Sequence, residues 1–162
     1  MNNNLNGTYL SSLTSETQNM IGNTKYYLGG YDGYKYQNGL IQTPVDMYSY
    51  ERKTKNTKSN EFYYGSNPNS FIGKIGVMYA SDYGYAINSS YKNNWLFTKG
   101  YEWTMTAYGS SNPVIVNYNG GLNNYYAYRG FAVRPVLYLK SNVYVISGDG
   151  SEGNPYKIML GS

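Results

Sequence analysis

The sequence predicts a mixed α+β fold of twisted antiparallel sheets, with one or two short helices near the N-terminus and long irregular loops. Three observations carry that expectation. Short apolar runs suited to strands recur, among them 73–79, 113–118 and 131–140, and in the first of these Ile75, Val77 and Tyr79 alternate as strand residues do. One stretch, 11–21, has its apolar residues at helical spacing instead. The 19 Gly and about twenty Asn residues supply turns between the runs.

Composition says how such a fold must be filled. The 162 residues suffice for one domain over 1–162 with one core. Hydrophobic residues make up 41% of the chain, but 23 of them are Tyr. Without Tyr the apolar share is roughly 27%, below the usual 45–50% or so that counts Gly as well. The core is therefore expected to use Tyr rings, each needing a partner for its hydroxyl. Charged residues are 14% and aromatic residues 18%, the reverse of a disordered chain. The expected surface is uncharged and polar, rich in the Tyr, Asn, Ser and Gly that dominate evolved binding loops.

The elements follow in order. Residues 1–8 lack a basic start and an apolar stretch, so they are no signal peptide. They are expected to be a disordered or trimmed end, with a leader or anchor helix ahead of them. Leu10, Leu13, Thr17, Met20 and Ile21 mark a helix over 11–21, capped by Ser12 or Ser15 and ended by Gly22. A strand is expected in 25–31, and turns over 32–41. Thr43 and Pro44 start a short helix that runs to Tyr50. The basic residues Arg52, Lys53, Lys55 and Lys58 read as an exposed loop. After the strand in 73–79, Asp82 suits an Asx-type turn. Trp103 beside Glu102 marks an anchored core strand, with Glu102 paired to an Arg such as Arg134. A strand over 113–118 leads to the Asn119-Gly120 turn signal. Pro135 places an edge, bend or strand start within 131–140. The segments 143–147 and 156–160 pair across a turn at 148–155.

Several chemistries have little to stand on. The chain has no Cys and no His, which removes the thiol nucleophile, the commonest general base and the commonest transition-metal ligand. No cofactor and no metal are expected. Asp149 and Glu152 are too few acids for a calcium loop, so that segment reads as a hairpin turn. Gly73-Lys74 lacks the rest of a phosphate loop. Asp82 with Glu51 or Glu61 would be a paired-carboxylate hydrolase site, but nothing in the sequence sets their separation. A net charge of +4 without a basic face interleaved with aromatics argues against nucleic acid. No run is long enough to span a membrane, so membrane attachment is expected only through a missing N-terminal segment.

Three pieces in order carry a family resemblance: Tyr101-Glu102-Trp103-Thr104, Arg129-Gly130-Phe131, and Ala132-Val133-Arg134-Pro135-Val136. Together they resemble the formylglycine-generating-enzyme branch of the C-type-lectin-like fold, which includes retroelement-diversified binding proteins. Residue 101 is Tyr where that branch has Trp, and the absence of Cys leaves its oxidation chemistry nowhere to reside. A closer series runs through Tyr26-Tyr27-Leu28-Gly29-Gly30-Tyr31, Tyr50-Glu51-Arg52, 73–79, 81–86, 133–141, Gly148-Asp149-Gly150 and Asn154-Pro155-Tyr156. It is similar to the C-terminal domains of surface proteins of gut Firmicutes, many of which carry a type IV pilin-like helix ahead of the domain.

The resemblance implies a C-type-lectin-like recognition domain that is extracellular or at the cell surface; without Cys or His, it is expected not to be an enzyme. In that fold the ligand site lies on loops of the C-terminal half, the place of 108–128 here. The implied ligand-binding residues are Tyr108, Asn112, Asn117, Asn119, Asn123, Asn124, Tyr125, Tyr126 and Tyr128. An AT-rich genome would give the same Asn and Tyr bias, and the bias does extend through the chain. The expected partner is a surface glycan or protein. The alternatives are a pilin-like subunit that self-assembles and, further off, a carboxylate hydrolase.

Overall fold

Asn6 organises the start of the chain. The computed structural model describes residues 1–29, 43–52, 70–86, 94–108 and 112–162. The disorder expected over 1–8 is replaced by a π-helical turn, Asn4–Tyr9, that runs into α1 (Leu10–Ser12). The Asn6 side-chain oxygen accepts from the backbone N–H groups of Lys74 and Ile75, each at 2.9 Å, and its amide donates to the Ile75 carbonyl at 2.8 Å. Leu5 beside it is buried.

The single helix expected over 11–21 is broken. Leu13 and Thr14 are extended. Thr14, rather than Ser12 or Ser15, caps α2 (Ser15–Met20) by accepting the Thr17 N–H at 3.2 Å. A hydroxyl that caps a new helix competes with continuation of the old one. Ile21, fully buried, leaves the helix to form an antiparallel bridge with Leu139, so α2 ends before Gly22 is reached.

Other local signals act as the residues suggest. In α3 (Pro44–Glu51), Thr43 Oγ1 accepts the Asp46 N–H at 3.2 Å with Pro44 at the first helical position. In α4 (Ala80–Tyr85), Asp82 reaches back to the Tyr79 N–H at 3.0 Å, so it serves a helix start rather than an isolated turn. The strand expected over 73–79 is only Ile75–Val77. Residues 75–80 are buried without alternation, so burial on both sides, not a half-buried face, explains this apolar run.

The strands are β1 (Thr24–Tyr27), β2 (Ser70–Gly73), β3 (Ile75–Val77), β4 (Glu102–Ala107), β5 (Pro113–Val116), β6 (Leu122–Asn124), β7 (Ala132–Val133), β8 (Pro135–Leu137), β9 (Val143–Ser147) and β10 (Lys157–Leu160). Among the described residues they form three two-stranded sheets, β1-β2, β3-β8 and β9-β10, and one four-stranded sheet in the order β6-β5-β4-β7. The fold is thus α+β with few short helices and mainly antiparallel pairing. One pair departs from the expectation: β7 runs parallel to β4, with Glu102 opposite Ala132 and Trp103 opposite Val133. The strand-like stretch 131–140 forms β7 and β8, and β8 begins at Pro135, a strand start being one of the places expected of a residue with no N–H to give a ladder.

The contacts group into two units. One comprises Met1–Thr24, Ile72–Gly76 and Val136–Ser162; the other comprises Lys25–Phe71 and Val77–Pro135. Each change of unit along the chain falls inside a strand: β1, β2, β3 or β8. The first unit carries α1, α2 and the β9-β10 hairpin. There Gly148 and Gly150 adopt φ of 93° and 83°, and Asp149 Oδ1 accepts the Ser151 N–H at 2.9 Å. The 148–155 segment is therefore the turn expected of it.

The second unit holds the larger core. Val114 packs with Met47 and Ala80, and Tyr108 and Leu122 pack against them. Tyr rings fill this core with their hydroxyls satisfied. Tyr83, fully buried, donates to the Gly120 carbonyl at 2.8 Å. Tyr79 Oη both donates to the Tyr27 carbonyl and accepts the Tyr27 N–H, each at 2.8 Å. Tyr26 stacks on Phe71 with centroids 5.1 Å apart.

Candidate functional site

Two buried carboxylates form the polar framework of the second unit. Glu51 ends α3 with no solvent exposure. Its Oε1 accepts the Ser81 N–H at 2.9 Å and the Thr106 hydroxyl at 2.7 Å, while Oε2 accepts Arg52 Nη1 at 2.7 Å and the Ser81 hydroxyl. Burial holds the Glu51 carboxyl above its ordinary value of 4.5, against the opposing pull of those hydrogen bonds and of Arg52. The Arg52 guanidinium lies between the rings of Tyr48 and Tyr79, 4.1 and 3.9 Å from their centroids, with Nη2 3.6 Å from Asp82 Oδ1. Arg52 is thus no part of an exposed loop; the rest of the basic stretch, Lys53, Lys55 and Lys58, lies outside the described residues.

The second carboxylate, Glu102, opens β4. Arg134 grips it with Nε to Oε2 at 3.2 Å and Nη2 to Oε1 at 3.0 Å, and the Thr98 hydroxyl donates to Oε1. This is the Glu–Arg pairing expected from the sequence. It joins β4 to the residue between β7 and β8. Asp82 with Glu51 or Glu61 is the hydrolase pair the sequence suggests; Asp82 and Glu51 both contact the Arg52 cation. Glu61 lies outside the described residues. Among the described residues no three His, Cys, Asp or Glu side chains gather as metal ligands, and no helix is long and apolar enough to cross a membrane.

Above this framework an aromatic series runs from the core to solvent. Trp103, buried on β4, meets Phe131 with centroids 4.9 Å apart. Phe131 also stacks on Tyr101 at 4.8 Å and meets the edge of Tyr125 at 5.4 Å. Tyr101 touches Tyr118 at 5.5 Å. Tyr125 leads to Tyr126 at 6.5 Å, and Tyr126 lies nearly parallel to Tyr128, 14° and 5.6 Å apart. The outermost rings are open: Tyr126 is 52% exposed and Tyr128 75%. Arg129 lies over Tyr125 and Tyr128, 5.6 and 5.4 Å from their centroids. An exposed aromatic group of this size is uncommon on a soluble surface and marks a place for contact. Its inner member Trp103 is buried, and ring contacts run from it through Phe131 and Tyr125 to the outer rings.

The structure divides the nine residues expected to bind. Tyr125, Tyr126 and Tyr128 come together in the aromatic group. Tyr108 is half-buried against the core, and Asn112 donates to Asn124 at 3.2 Å. Asn117 and Asn119 serve the β5-β6 turn, accepting the N–H groups of Tyr118 at 2.7 Å and Gly121 at 3.0 Å. Asn123 accepts the Asn124 N–H at 2.8 Å. The Asn side chains thus shape the hairpin that precedes the rings. Residues 109–111 and the turn-rich 32–41 lie outside the described residues. Sequence reasoning missed Tyr101, Tyr118 and Phe131, which are distant from 125–128 in sequence or carried no polar signal. It also missed Arg129 as a member, although Arg129-Gly130-Phe131 stood out as a motif. Comparison with protein-family models, curated proteins and solved structures finds no match to this chain.

Proposed function

We propose that this chain is a ligand-recognition domain of C-type-lectin-like kind, extracellular or displayed at the cell surface, that binds glycans on the Tyr125–Tyr126–Tyr128 group. Its kin on this reading are the C-terminal domains of gut Firmicutes surface proteins, some borne on a pilin-like stalk. The observation that carries the reading is the aromatic series, anchored at buried Trp103 and ending in two near-parallel open rings. Such rings stack on the C–H face of a sugar, and their hydroxyls add hydrogen bonds at small entropic cost. The role is binding rather than catalysis: the two buried carboxylates are enclosed by Ser81, Thr106, Thr98 and arginines. Neither nucleic acid nor a cofactor enters the reading.

A glycan array probed with the full chain tests it. Wild type is expected to bind a subset of glycans, and Tyr126→Ala with Tyr128→Ala to lose that binding at least tenfold with an unchanged melting temperature. No bound glycan, or binding that survives the double substitution, sinks the reading.

A second reading, a subunit that self-assembles, draws on the β9-β10 hairpin. Tyr144, Val145, Ile146, Ile158 and Met159 are all exposed there, and a two-stranded ribbon leaves two open edges. Concentration-dependent sedimentation that Ile146→Lys abolishes would favour it; a monomer at all concentrations would remove it.

A further inference from the structure

The geometry points to an acidic glycan as the ligand of the aromatic group, its carboxylate or sulfate taken by Arg129 while a sugar ring stacks on Tyr126 or Tyr128. This rests on the glycan-binding reading above and narrows its ligand class.

The chain has three arginines. Two are committed inside the protein: Arg52 to Glu51, and Arg134 to Glu102. Arg129 is not. Among the described residues its guanidinium has no carboxylate and no hydrogen-bond acceptor; it is held only against the rings of Tyr125 and Tyr128. A ring contact engages the flat face of a guanidinium and leaves the N–H groups at its edge available. Those donors form a fork whose spacing matches two oxygens of a carboxylate, sulfate or phosphate. The guanidinium thus lies beside an open ring, 5.4 Å from the Tyr128 centroid.

The local charge agrees. No Asp or Glu occurs anywhere from residue 103 to residue 148, while Arg129, Arg134 and Lys140 do. The acid nearest in sequence, Glu102, is buried and paired. An approaching anion meets no nearby carboxylate from this segment. The ring-bearing residues 125–131 contain no strand, so they offer no ladder edge to an extended peptide. Flat rings with one cation beside them fit a sugar that carries an acid better than they fit a peptide strand.

Calorimetry with the full chain on matched pairs tests the inference. The pairs are oligogalacturonate against its methyl ester, and 3′-sialyllactose and 3′-sulfolactose against lactose. In at least one pair the acidic member is expected to bind tenfold or more tightly than its neutral partner, with an advantage that shrinks at high salt. Arg129→Gln is expected to remove the acidic preference, so that the two members of each pair bind alike, with an unchanged melting temperature. Tyr126→Ala with Tyr128→Ala removes binding to both members. The carboxylate and sulfate arms tell the two anion types apart. Equal binding within every pair, or an acidic preference that survives Arg129→Gln, overturns the inference while the glycan reading stands. Binding to no glycan overturns both, and equal binding to poly-glutamate overturns the sugar-specific part.

Discussion

Glu51 shows how much one residue decides. A carboxylate with no solvent exposure needs several donors, and it has Ser81, Thr106 and Arg52. Burial still outweighs them and raises its proton affinity. The folded state therefore keeps the proton at pH values where the unfolded chain has released it. The stability this contributes is complete below the ordinary value of 4.5 and is lost as pH rises through the raised folded value. Urea midpoints of wild type are thus expected to carry a falling component from about pH 4.5 upward. Glu51→Gln, which resembles the protonated carboxyl, should lack that component; an identical slope in the variant would refute the assignment. Asp149 works in the opposite sense: hydrogen bonds from Ser151 lower its value. Its contribution is present above the ordinary 3.8 and is lost as pH falls through the lowered value.

At the scale of elements, local chemistry and tertiary demand divide the outcome. The Thr43-Pro44 start of α3 was legible because a cap and a fixed φ act within four residues. The Asn119-Gly120 turn was legible for the same reason, and Gly120 does adopt φ of 86°. The end of α2 before Gly22 was not, because it depends on Ile21 leaving to bridge Leu139, far along the chain. Nor was the split of 131–140 into β7 and β8 fully legible; Pro135 signalled a discontinuity but not the parallel partner β4. The β9-β10 turn yields an element-level prediction. A Cβ on Gly148 would run into the Pro155 carbonyl at a positive φ. Gly148→Ala should therefore destabilise the hairpin by about 1–3 kcal/mol, read as a lower denaturation midpoint and weaker amide protection in 143–160. Unchanged protection there would show that the turn tolerates a side chain.

For the molecule as a whole, burial is unequal between the two units. The unit of Lys25–Phe71 and Val77–Pro135 contains fully buried Tyr26, Tyr83 and Ile115 with both Glu–Arg pairs. In the other unit, β9 and β10 are mostly exposed. Local opening costs less where few buried contacts are broken. Hydrogen exchange should then find its slowest amides in β4 and β5, and faster ones in β9 and β10. The reverse order would mean that burial does not set the local stability. The aromatic group lies in the better-buried unit, which suits a site that must hold its rings in place.

The α+β class, the need for Tyr in the core, the start of α3, the turns at 119–120 and 148–155, and the Glu102–Arg134 pair were legible in the sequence. Each follows from composition or from chemistry confined to a few neighbouring residues, save the pair, for which an acid beside a core Trp signalled an arginine partner. Which Tyr residues are core and which are surface was settled by how distant segments pack. A Tyr has the same ring and hydroxyl in both places, so Tyr83 and Tyr128 look alike until the chain is folded around one of them. The same packing decided that the Asn residues of 112–124 build a hairpin, and that Arg129 has no carboxylate partner among the described residues. Those assignments depend on distances between segments far apart in sequence, which no local pattern encodes.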